Sequence, residues 1–91
     1  MPVFTTRPTK QPKLIRKKLG REQLWGSFDN GTNIIEVDDR LKGKKELIIM
    51  IHEYFHYLFP GLDEGEVVTK SEYLADFLWK HHFRKVDLSV D

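Results

Sequence analysis

Between Lys44 and Phe59 the apolar residues Leu47, Ile48, Ile51, Phe55, Leu58 and Phe59 recur at helical spacing, and Pro60-Gly61 then breaks the pattern. One amphipathic helix is predicted there. A second is expected from about Val67 or Lys70 to Arg84, with Leu74, Phe77, Leu78 and His81 on its apolar face. Ahead of both, the stretch Leu24 to Val37 reads as a β-hairpin. Asn30-Gly31 suits a tight turn whose central residues both need positive φ, and aromatic and β-branched residues flank it. A lone hairpin is marginal in water, so it is expected to pack on the helices. A short helix is also expected from Pro12 to Leu19, opened by Pro12 and closed by Gly20, with a thin apolar side of Leu14, Ile15 and Leu19. The expected fold class is therefore α+β: a hairpin or small antiparallel sheet packed on two helices.

Composition narrows the chemistry. The 91 residues bound a single domain, and the absence of cysteine excludes disulfides and thiolate metal sites. Any metal must be held by His, Asp or Glu. Charge is uneven: residues 1–21 carry seven basic side chains and no acidic one, while the rest of the chain is acidic. The organisation expected is a basic arm, residues 1–20, on a domain spanning residues 21–91. A solvated leader is the ordinary reading of such an arm; contact with nucleic acid through residues 7–21 is the sharper one, without a matching aromatic platform. No stretch approaches 18 apolar residues and the N-terminus lacks the apolar core of a signal peptide, so a cytoplasmic location without a membrane partner is expected.

The first predicted helix carries His52-Glu53-Tyr54-Phe55-His56. Histidines four apart project from one helix face, one turn apart, and both imidazoles can reach a single tetrahedral zinc ion. Glu53 is rotated from His52 by about 100°, so its carboxylate can reach a metal-bound water without ligating the metal. Two ligands and a general base are the physical content of His-Glu-x-x-His. The competing reading, a buried helix with two incidental histidines, leaves polar groups inside without a purpose.

A catalytic zinc needs a third protein ligand and an open position. Asp63, Glu64 and Glu66 follow the first helix, where a solvated loop is expected. Glu72 lies on the second helix with Asp76 four residues later on the same face, a pair suited to ligand and supporting carboxylate. Glu72 also fits a capping box, Thr69-Lys70-Ser71-Glu72, which would tie up its side chain. The ligand role is preferred because the histidine pair requires a partner. His81 on the apolar face and His82 beside it are weaker candidates.

With His52-Glu53-x-x-His56 and Glu72-x-x-x-Asp76 in place, the chain resembles the zincin metallopeptidases of the gluzincin type. Glu72 to Phe77 is similar to the second ligand helix of ImmA/IrrE-type peptidases, and the outline resembles small phage and bacterial metallopeptidases. The resemblance covers about Leu24 to Lys80. It implies a minimal zincin-like fold, one zinc ion held by His52, His56 and Glu72, and Asp76 behind a histidine. It implies zinc-dependent hydrolysis of peptide bonds in a peptide or protein substrate, with Glu53 as general base on an activated water. Tyr54, Tyr57, Tyr73, His81 and His82 are candidate donors to the oxyanion. The alternatives are a zinc-binding module of the same fold that does not cleave, and a nucleic-acid-associated regulator acting through the arm.

Overall fold

The computed structural model describes residues 10–20 and 25–85; Pro2, Arg7 and Pro8 of the basic arm, Arg21, and Leu24 at the start of the expected hairpin lie outside them. The elements are β1 (Lys13–Lys17), β2 (Gly26–Asp29), β3 (Ile34–Asp38), α1 (Gly43–Leu58) and α2 (Glu64–Lys80). The strands form one mixed sheet in the order β1-β3-β2. The fold is α+β, as the hydrophobic pattern predicts.

The hairpin forms, but not around a tight Asn30-Gly31 turn. Asp29 pairs with Ile34, so four residues make the loop, and the positive φ of 60° falls on Asn33 rather than on the Asn-Gly pair. Asp29 sets this geometry: its carbonyl accepts from the Asn33 N–H at 2.8 Å and its side chain from the Gly31 N–H at 2.9 Å. Asn is among the few side chains that tolerate the left-handed region.

The larger departure is β1, where the expected helix over Pro12–Leu19 is replaced by a strand. Lys13–Lys17 pairs in parallel with β3, Leu14 opposite Ile35 and Arg16 opposite Val37. The thin apolar side of this segment gives a helix little to bury, whereas a central β3 offers its backbone a complete ladder. Pairing of this kind is non-local and leaves no signature within the segment itself.

Asp38, at the end of β3, fastens the connection between β1 and β2. Its fully buried carboxylate accepts from the backbone N–H of Leu19 at 3.2 Å and of Gly20 at 3.5 Å. It also accepts from the Arg40 N–H at 2.9 Å and from the Arg40 guanidinium at 2.8 and 2.7 Å. The Arg40 side chain, more than any other group, holds this carboxyl well below the usual carboxylate range; burial opposes it and the backbone donors assist.

α1 packs against the sheet on one side and α2 on the other. That position explains why it is apolar over most of its circumference. Ile49, Met50 and Tyr54 meet a core of Ile35, Val37 and Leu41, joined by Leu14 and Phe28. α2 turns Val67, Ser71 and Ala75 inward, small residues at four-residue spacing that are fully buried. At the start of α1, buried Glu46 accepts from Arg16 Nε at 2.7 Å and ties the helix to β1.

Both ends of α2 differ from the expectation. It begins at Glu64, where Asp63 is the N-cap and accepts from the Glu66 N–H at 2.9 Å. Thr69 to Glu72 therefore lies inside the helix and is no capping box. It ends at Lys80, not Arg84, because His82 adopts a φ of 68°. The N–H groups of His82 and Phe83 then bond back to Trp79 at 3.0 Å and Leu78 at 2.9 Å, which closes a Schellman motif. No described helix is long and apolar enough to cross a membrane.

Candidate metal centre

His52 and His56 project from the C-terminal half of α1 with ring centroids 5.0 Å apart. The short Phe59–Asp63 connection folds α2 back at once, which brings its first residue against this pair. Glu64 Oε2 lies 3.0 Å from His52 Nε2, and Glu64 Oε1 lies 3.0 Å from His56 Nε2. Among the described residues these three form the group of potential ligand atoms within 4.8 Å of one another.

The donor set fits zinc. Metal bonds of about 2.0–2.1 Å in a tetrahedron place ligand atoms roughly 3.3 Å apart, a spacing close to the 3.0 Å contacts that Glu64 makes with each histidine. Two neutral nitrogens and one carboxylate oxygen leave the fourth position for water. The His52 side chain is 15% exposed and that of Glu64 is 65% exposed, so the group is sheltered on the α1 side and open on the other.

Glu53 is of a different kind. It is buried, and desolvation pushes its carboxyl up to about 7; nearby His56 opposes that rise and Glu64 adds to it. Its neighbour is Gly26 on β2. A Cβ at Gly26 would lie 3.3 Å from Glu53 Cγ and only 2.6 Å from Ile49 Cγ2. The strand can pass this close to α1 only without a side chain. Gly26→Ala is therefore expected to cost about 2 kcal/mol through overpacking, roughly 10 °C in thermal midpoint. A melting curve equal to that of the wild type would contradict the close approach.

The structure does not bring Glu72 to the histidines. Eight residues beyond Glu64 in one helix, it is displaced by about 12 Å along the axis, and it is exposed. Asp76 is exposed as well, and it pairs with Lys44 rather than standing behind a ligand. Of the two α2 carboxylates expected at the histidines, neither is there; the carboxylate beside the pair is that of Glu64. The missed signal is Asp63-x-x-Glu66, an acidic cap followed three residues later by Glu, which marks the true helix start and puts Glu64 in its first turn.

The candidate oxyanion donors are also placed elsewhere. Tyr54 donates to Gln11 Oε1 at 2.8 Å and Tyr57 to the Lys10 carbonyl, so both phenols hold the segment before β1 against α1. Tyr73 is 73% exposed on α2. The His81 ring lies tilted against Phe77 at 4.6 Å, and with His82 it lies at the far end of α2, about 25 Å from Glu64 along the axis.

Compared with family models, curated proteins and solved structures, the chain matches none of them. Its functional reading stands on its own residues and their geometry.

Proposed function

We propose that the chain is a zinc-dependent metallopeptidase in which His52, His56 and Glu64 hold the ion and Glu53 is the general base. The observation that carries this reading is the convergence of Glu64 on the two histidines, beside a buried carboxylate one residue from the first. When bound, zinc supplies a Lewis acid and an acidified water in the open position.

The two carboxylates have separate tasks. Glu64 faces solvent and approaches both Nε2 atoms, the placement of a ligand. Glu53, turned about 100° around the helix and desolvated, takes the proton of the attacking water and delivers it to the leaving amine. Gly26 lets β2 pack directly over the Glu53 side chain, which keeps that carboxylate desolvated. β2 forms one edge of the sheet, so an extended peptide can add alongside it through main-chain hydrogen bonds.

The test is hydrolysis of a quenched-fluorescence peptide pool by zinc-loaded protein. Cleavage that disappears in His52→Ala together with bound zinc supports the reading. Cleavage that persists without zinc, or zinc-loaded protein that cleaves nothing in the pool, overturns it.

A further inference from the structure

A groove lies at the other end of the helices from the histidines. It has a volume of about 810 Å³ and runs between the start of α1 and the end of α2. Its floor includes Leu47, Met50 and the Trp79 ring, and Arg16, Lys42, Arg84 and Lys85 stand around it. Among the described residues the acidic side chain lining it is Glu46, which is already engaged by Arg16 at 2.7 Å. The field over this apolar floor is therefore positive.

Aromatic rings are layered with these cations. The Arg84 guanidinium lies 3.8 Å over the Trp79 ring, and Phe83 beside it is 65% exposed. An exposed phenylalanine in a solvated surface needs no account. An apolar groove ringed by Arg and Lys, with flat rings at its wall, is a different object.

We propose that this groove binds single-stranded nucleic acid, with phosphates on Lys42, Arg84 and Lys85 and a base stacked on Phe83. A single strand offers both components at once: regularly spaced anions, and flat unpaired bases that stack on aromatic rings and guanidinium planes. A duplex hides its base faces, and an acidic peptide uses the charge but not the stacked rings. The site is distinct from the basic arm inferred from sequence, though Arg16 belongs to both. It does not depend on the metallopeptidase reading, since the groove and the histidines occupy opposite ends of α1.

The experiment is fluorescence anisotropy of a labelled oligothymidylate of about 12 nucleotides with the full chain, at two salt concentrations. Neutralising about three phosphates predicts binding that weakens about 20-fold between 50 and 200 mM salt. Phe83→Ala is expected to weaken binding about 10-fold at both concentrations. The double variant Arg84→Glu, Lys85→Glu should abolish it, whereas Lys13→Glu, on β1 outside the groove, should lose threefold or less. These substitutions are exposed, and circular dichroism of each variant separates lost binding from lost fold. No binding at 50 mM salt overturns the proposal. So does equal loss in Lys13→Glu, or an oligoglutamate peptide that binds as tightly as the oligonucleotide.

Discussion

Replacing Glu53 by Gln is expected to lower peptide hydrolysis by about 10²–10⁴-fold while leaving the zinc stoichiometry unchanged. The amide keeps the shape of the carboxylate and places no charge among Ile49, Gly26 and the sheet, so the fold is retained. It cannot accept the proton of the attacking water. Because Glu53 is not in the ligand group, metal should remain bound. Separate readings of metal by mass spectrometry and of cleavage by fluorescence make the split visible. Undiminished cleavage would assign the base elsewhere; loss of zinc together with activity would mean that Glu53 supports the metal rather than the proton transfer.

Removing the metal should have the second large effect, on stability. The buried apolar set among the described residues is small: Ile35, Val37, Leu41, Val67 and Ala75. A domain of this size gains much from a bound ion. The proposed ligands come from α1 and from the first turn of α2, so an ion held there would tie the helix pair at its turn. With free zinc at about a thousandfold excess over Kd, binding to the folded state contributes about 4 kcal/mol. For a chain this short, that corresponds to roughly 20 °C in thermal midpoint. A melting curve recorded with a strong chelator and again after zinc is restored measures it. A midpoint that does not move would show that no metal links the two helices.

The legible parts of the chain were those whose signals are local. The apolar periodicity and Pro60-Gly61 place α1 within a residue or so at each end, and with it His52, Glu53 and His56. The flanking aromatic and β-branched residues place the hairpin, although the side-chain and carbonyl bonds of Asp29 moved the left-handed residue to Asn33. Illegible were the features fixed by distant partners. β1 is a strand because β3 is beside it, and Asp38 is buried because five backbone and guanidinium donors meet it from both directions in the chain. Glu64 falls between these cases. Its cap is written in Asp63 and Glu66, yet a cluster of acidic residues after a helix also reads as a solvated loop. Only the folding back of α2 separates the two.

The central claim is that the third ligand is Glu64. Metal content of protein purified without added metal, in the wild type, Glu64→Ala and Glu72→Ala, tests it most directly. Near-stoichiometric zinc in the wild type and in Glu72→Ala, with zinc lost from folded Glu64→Ala, is the predicted result. Zinc retained in Glu64→Ala, or lost in Glu72→Ala, would contradict the site.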